Sequence, residues 1–230
     1  KPYLHLDRYS KLRPNGAYPI VSLYLDSDNL QLCRESLEGK KNRLKLRIRS
    51  YTDEPDYPRF FEIKQHRPHF FEIKRRVNNI IIKSRARVKY RDVAGLLSGP
   101  SLPLQVYDGD GEILQQFQLY ANSINARPVI LIRYMRQAYE DDSENRVRVT
   151  FDRELSFNVT KELKVTMGGA GWQRLFSNNV ILEIKFTGRY PAWLSQMAKV
   201  LNLRRQSNSK YARSVKQACK LGFCAPRLTE

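Results

Sequence analysis

Residues 42–51 read NRLKLRIRSY and alternate without interruption. Arg43, Lys45, Arg47 and Arg49 fall on one parity; Leu44, Leu46 and Ile48 fall on the other. A β-strand sends successive side chains to opposite faces, so this strand carries cations on one side, about 7 Å apart, and an apolar stripe on the other. Such a row repels itself unless water or an anion lies against it.

The pattern recurs. Ile80 to Tyr90 (IIIKSRARVKY) sets Lys83, Arg85, Arg87 and Lys89 on one parity and Ile82, Ala86 and Val88 on the other. Asn78-Asn79 just before it predicts a tight hairpin turn. Upstream lies a duplication: residues 58–67 read PRFFEIKQHR and residues 68–77 read PHFFEIKRRV. A period of ten is even, so sliding by one unit keeps the same face outward and leaves two registers open. The second copy runs on into the basic stretch and is read as the structural strand. The first copy is read as a neighbouring strand or an extended loop.

Elsewhere Tyr18 to Asp26 reads as a strand, followed by a short helix over 29–38. Asp92 to Leu97 and Asp108 to Asn122 read as helices; Ile113, Leu114, Phe117 and Ala121 share a face of the second, and Asp108 or Asp110 is the expected cap. Pro128 to Ala138 and Arg146 to Leu155 form a hairpin around the acidic loop 140–145, with Arg136 late in the first strand and Arg148 early in the second. Asn179 to Phe186 is a further strand. A helix over Pro191 to Leu201 has proline in its first turn and buries Trp193 or Leu194, Met197 and Leu201. A last helix runs from Ser209 to Leu221 and stops at Gly222. Hairpins with helices between them, and no βαβ alternation, predict an α+β fold that is mainly antiparallel β. Several strands with a cationic polar face point to a closed barrel whose basic faces line one wet cavity, with helices packed outside.

Composition bounds the partners. The 230 residues hold 41 Lys and Arg against 23 Asp and Glu, a net charge of +18. That favours anionic ligands: phosphorylated metabolites, nucleic acid or anionic membrane. No zinc-finger spacing, RNA-recognition signature or basic helix accompanies the charge, which disfavours nucleic acid. Gly168-Gly169-Ala170-Gly171 lacks the lysine of a P-loop and reads as a flexible loop. His5, His66 and His69 show no ligand pattern. Cys33, Cys219 and Cys224 are few and odd in number, which predicts a reducing compartment without a disulfide framework. No run approaches the ~20 apolar residues of a membrane span. The expectation is a cytoplasmic domain with no direct membrane insertion.

The stretches SLYLDSDN, KLRIRSY, FEIKRRVNNIIIKSRARV, RYMRQAYEDDSENRVRVTFDREL, ILEIKF and SKYARSVKQ together resemble the VTC domain, the polyphosphate polymerase domain of the vacuolar transporter chaperone complex. The resemblance is clearest over residues 18–220, and a single VTC-like domain over 1–230 is expected. It implies the triphosphate tunnel metalloenzyme (CYTH-like) fold, an eight-stranded antiparallel β tunnel lined by Arg, Lys and Glu. It also implies transfer of the terminal phosphate of ATP onto polyphosphate with a divalent cation, Mn²⁺ or Mg²⁺. Alternatives are a non-catalytic polyphosphate- or polyanion-binding module, or a triphosphate hydrolase of the same fold. A membrane-protein partner is left open.

By its motifs, the resemblance places Arg47 and Arg49, Lys74 (with Lys64 as its duplicate), Lys83, Arg85, Arg136, Arg148, Ser209 and Lys210 on phosphate. It places Glu183 on the metal. Arg47, Arg49, Lys74, Lys83, Arg136, Arg148 and Lys210 are the expected catalytic set. Read without the resemblance, Arg136 and Arg148 could equally pair with Glu140, Asp141 or Asp142 across the hairpin. Family members carry an E-x-K strand ahead of the SLYLD region. Residues 1–17 hold no such motif, so a missing first strand and reduced activity are expected. Ser207 stands where the eukaryotic polymerases often have a basic residue.

Overall fold

A computed structural model describes residues 3–51, 68–78, 80–89, 92–98, 107–141, 147–175 and 180–223. Lys64 and the first copy of the duplication lie outside the described residues.

The strands are β1 (His5–Leu6), β2 (Tyr18–Asp26), β3 (Arg43–Ser50), β4 (Pro68–Val77), β5 (Ile80–Lys89), β6 (Arg127–Glu140), β7 (Arg148–Val159), β8 (Gln173–Arg174) and β9 (Ile181–Lys185). The helices are α1 (Arg8–Lys11), α2 (Gln31–Leu37), α3 (Val93–Ser98), α4 (Gly111–Ser123), α5 (Ala192–Val200) and α6 (Lys210–Lys220). The strands form one nine-stranded sheet in the order β5-β4-β3-β2-β6-β7-β8, with β1 on β6 and β9 on β7. The pairs β1–β6, β2–β3, β3–β4, β4–β5, β7–β8 and β7–β9 are antiparallel. The sheet is open: among the described residues its end strands, β5 and β8, do not pair with each other. The expected missing first strand is corrected in part. His5 and Leu6 pair with Glu140 and Tyr139, so the residues before Tyr18 do add a short strand.

The chain divides into two compact units. The larger comprises Ile20–Arg133, Ser156–Leu175 and Ser209–Glu230. Its core takes the apolar parity of β3 to β5: Leu46, Ile48, Phe71, Ile73, Ala86 and Val88. Helix α4 covers that face with Leu114, Phe117 and Ala121, and Phe71 meets Phe117 edge to face at 4.8 Å. Burying such side chains contributes about 1.5–3 kcal/mol each. Because the apolar parity is spent on this core, the cationic parity must lie on the opposite face of the same strands. Asp110 stands at the start of α4, but its carboxylate accepts from the Arg87 backbone N–H and Nε instead of capping the helix.

At the end of β2, one buried carboxylate organises two helices. Asp26 accepts from the backbone N–H groups of Leu32 and Cys33 in α2 and from the Tyr211 hydroxyl in α6. This replaces an ordinary cap, since Leu30 at the N-cap position of α2 offers no side-chain acceptor. Ser209 does cap α6, accepting from the Ala212 N–H, and the helix is followed by Gly222 at φ +80°. Cys33 is a buried free thiol, whereas Cys219 is disulfide-bonded, which the sequence reading did not expect.

The smaller unit comprises Lys1–Pro19, Tyr134–Leu155 and Phe176–Asn208. Val147, Val149 and Leu194 form its core, with Phe151, Leu182, Ile184, Trp193 and Met197 packed against them. Leu201, expected inside, is exposed. Helix α5 ends at Val200, so Leu201 falls beyond the covered face.

Candidate functional site

In the larger unit, register turns the three basic strands into a lattice. Arg47 stands opposite Tyr24 on β2 and Glu72 on β4, and Glu72 stands opposite Arg85 on β5. One step along, Lys45 faces Lys74 and Lys74 faces Lys83. One step the other way, Arg49 faces Ser22 and Phe70. Sequence-predicted Arg47, Arg49, Lys74, Lys83 and Arg85 thus share one face.

Glu72 sits at the centre of that face and is fully buried. Arg47 donates to its Oε2 through Nε at 2.6 Å, with Nη2 also at 2.6 Å. Arg85 donates to Oε1 through Nε at 2.7 Å. Lys83 Nζ lies 3.0 Å from Oε1, and Arg49 Nη1 lies 3.7 Å from Oε2. Burial by itself would raise the Glu72 carboxyl, but Arg47, Arg49, Lys83 and Arg85 outweigh it and hold it far below the usual carboxylate range. One anion against four cations leaves the face strongly positive. Sequence reading missed Glu72 as a functional residue. The available signal was a lone carboxylate on the cationic parity of a basic strand.

Aromatic groups frame the cluster. Tyr24 accepts from Arg47 Nη1 at 3.1 Å and stacks on Tyr211 at 4.7 Å. Burial pushes the Tyr24 hydroxyl up, but Arg47, Arg49 and Lys45 prevail and bring it down to about 8. Arg85 lies over the Phe70 ring at 4.6 Å and donates to the Tyr51 hydroxyl. Phe70 therefore belongs to the basic face, while Phe71 belongs to the core.

Lys45 shares the parity of Arg47 and belongs to the site, a role that sequence reading missed. Its Nζ donates to Ser209 Oγ at 2.7 Å. Burial brings its ammonium down to about 8 against the pull of Tyr24, with Lys74, Arg43 and Arg47 adding to the drop. Lys83 is also lowered to about 8, first by burial and then by Arg85, against Glu72. Its side chain is 42% exposed, so water screens part of that effect. Ser209 Oγ accepts from both Lys45 and Ala212. Its hydroxyl hydrogen is thus what it has left to offer an anion. Lys210 is the first residue of α6, half-buried, beside that cap.

In the smaller unit the arginines lie among carboxylates. Arg136 grips the fully buried Asp152 with two bonds, Nε to Oδ1 at 2.7 Å and Nη2 to Oδ2 at 2.8 Å. Its Nη2 is also 3.7 Å from Glu183 Oε2. Arg148 donates to Asp7 Oδ2 at 2.6 Å and lies 3.5 Å from Glu140 Oε2. The hairpin pairing weighed in sequence holds for Arg148 with Glu140, whereas the partner of Arg136 is Asp152. Glu183 stands opposite Thr150 on β7, with its Oε1 3.3 Å from Lys185 Nζ.

Glu183 keeps about a third of its side chain exposed, while Asp152 is sealed by Arg136. Among the described residues no group of three or more His, Cys, Asp or Glu could hold a metal by itself. A divalent cation resting on Glu183 would therefore take most of its oxygen ligands from groups other than these side chains.

The model of the VTC domain matches residues 1–219, through both units. No curated protein matches the chain. Solved structures similar to it include a Bacillus halodurans protein described as a "putative adenylate cyclase", 11% identical, covering 90% of this chain and 92% of that one at a TM-score of 0.44.

Proposed function

The chain belongs to the VTC domain family, and we propose that it transfers the terminal phosphate of ATP to a growing polyphosphate chain with the help of a divalent cation. The observation that carries this reading is the Glu72 cluster. Four cations are held within 3.7 Å of one buried carboxylate on a strand face that is basic along its length.

Phosphoryl transfer asks mostly for positioning and for neutralising charge on phosphate oxygens. Glu72 supplies the positioning. Guanidinium groups tied to a buried carboxylate cannot swing away, so Arg47, Arg49 and Arg85 present their remaining N–H groups in fixed directions. Lys45, Lys74 and Lys83 add point charges one rung along. Ser209 offers a hydroxyl, and the N-terminal end of α6 with Lys210 adds its positive dipole end. In the smaller unit we assign Glu183 to the cation, with Arg136 and Arg148 as phosphate contacts that carboxylates hold in place. The cation, when bound, would offset charge on the transferring phosphate.

The direct test is incubation of the chain with ATP and Mn²⁺ or Mg²⁺, reading polyphosphate by gel and free phosphate by assay. Polyphosphate formation supports the polymerase reading. Free phosphate alone favours a triphosphate hydrolase. Tight polyphosphate binding without either product favours a binding module, a reading supported by the carboxylate partners that Arg47, Arg49, Arg85, Arg136 and Arg148 already hold.

A further inference from the structure

The β4–β5 hairpin continues past its own core. Val77, Ile80, Ile81 and Ile82 are 42%, 66%, 58% and 39% exposed. Register places Val77 opposite Ile80, Arg76 opposite Ile81 and Arg75 opposite Ile82. Val77, Ile80 and Ile82 thus share the face that packs on α4 lower down, while Ile81 shares the cationic face. Four aliphatic side chains in water at a strand end are a hazard for aggregation unless something covers them.

The surroundings say what would. Arg43 on β3 lies directly opposite Arg76 on β4, a like-charge pair that is unfavourable without an anion between. The Asn78 N–H donates to the Asn42 side chain, which brings the Lys41–Arg43 stretch beside the turn. Lys83 follows the isoleucines on β5. From Arg75 to Lys83 and from Lys40 to Lys45 the sequence contains no acidic residue. The tip exposes aliphatic side chains on both faces, Val77, Ile80 and Ile82 on one and Ile81 on the other, with cations beside them. A flat protein surface would cover one face of it. A medium that accepts the whole tip, with anions at the depth of the collar, covers both.

We propose that this hairpin tip docks the chain on an anionic phospholipid bilayer, with Ile80, Ile81, Ile82 and Val77 entering the headgroup–acyl boundary and Arg43, Arg76 and Lys41 meeting lipid phosphates. Three strand residues span about 10 Å, which matches the depth at which interfacial elements bury their apolar side chains. The inference revises the sequence expectation of no direct insertion, which rested on the lack of a spanning segment. Peripheral docking by a tip requires none.

Vesicle flotation of the full chain tests it. The chain floats with phosphatidylcholine vesicles that contain phosphatidylserine and stays behind with phosphatidylcholine alone. The I80S/I81S/I82S variant keeps every charge, yet its bound fraction falls about tenfold. In an Ile81→Trp variant, indole emission shifts to the blue on anionic vesicles and is quenched by brominated lipid. Equal flotation of the triple variant, or unshifted emission, overturns the proposal. So does a chain that ignores vesicles but forms a dimer which the serines break, since the tip would then be a protein contact. If the triple variant fails to fold, Ile81→Ser and Ile81→Trp decide the matter.

Discussion

The two units handle buried charge in opposite ways. In the larger, one carboxylate, Glu72, restrains Arg47, Arg49, Lys83 and Arg85 and leaves them in positive excess. In the smaller, Arg136, Arg148 and Lys185 meet Asp152, Glu183, Asp7 and Glu140, so carboxylates outnumber their cations. Both use the same unit of construction, an arginine clamped by a carboxylate across strands. The stoichiometry differs: cations are in excess around Glu72, and carboxylates are in excess around Arg136 and Arg148.

The largest effect that would break this comparison is Glu72→Gln. Removing a buried charge that holds four cations costs about 3–5 kcal/mol, read as a drop in melting temperature. Added tripolyphosphate should restore more stability to this variant than to the parent chain, because the ligand replaces the lost anion. A variant that melts like the parent would refute the clamp.

Glu183→Gln comes next. Metal-dependent turnover should fall by about 100-fold, a scale seen even for groups that only support a metal ligand, while tripolyphosphate affinity measured without metal stays the same. Loss of both together would erase the division of labour between the two faces. Arg47→Ala should weaken tripolyphosphate binding by about 10- to 100-fold in calorimetry, the worth of a charged hydrogen bond. Arg47→Lys should recover only part, because a point charge cannot reproduce the fork.

The smallest effect is on pH, and it has two signs. Lys45 and Lys83 sit near 8 in the folded chain, below their ordinary value of 10.5. Below about pH 8 both are charged whether the chain is folded or not, so they give stability no slope there. Between about 8 and 10.5 the unfolded chain holds more protons, so stability without ligand rises with pH. Tyr24, lowered from 10.0 to about 8, acts in the same direction. Polyanion affinity should run the other way, falling several-fold as pH passes through 8 and the ammonium groups lose charge. Melting curves and binding isotherms over that range should therefore diverge.

The cationic faces were legible in the sequence because alternation is local: Arg43 to Arg49 and Lys83 to Lys89 announce their parity within one strand. The α4 face was legible for the same reason, from Leu114, Phe117 and Ala121. What neutralises the cations was not legible. Arg47 finds Glu72 25 residues away, and Arg148 finds Asp7 141 residues away. Those distances are set by strand register and topology, which no window of sequence contains. Asp110 illustrates the converse. Its position promised a cap, and the neighbouring edge strand claimed its carboxylate.

Asp26 has a consequence for how the chain is made. It is fully buried, and its partner hydroxyl on Tyr211 lies 185 residues later. At the usual pace of translation, roughly 10 to 40 s separate the emergence of the two from the ribosome. Throughout that interval the innermost strand holds an ionisable group whose lid has not yet been synthesised. Final closure of this strand is thus deferred until the residues around Tyr211 have left the exit tunnel.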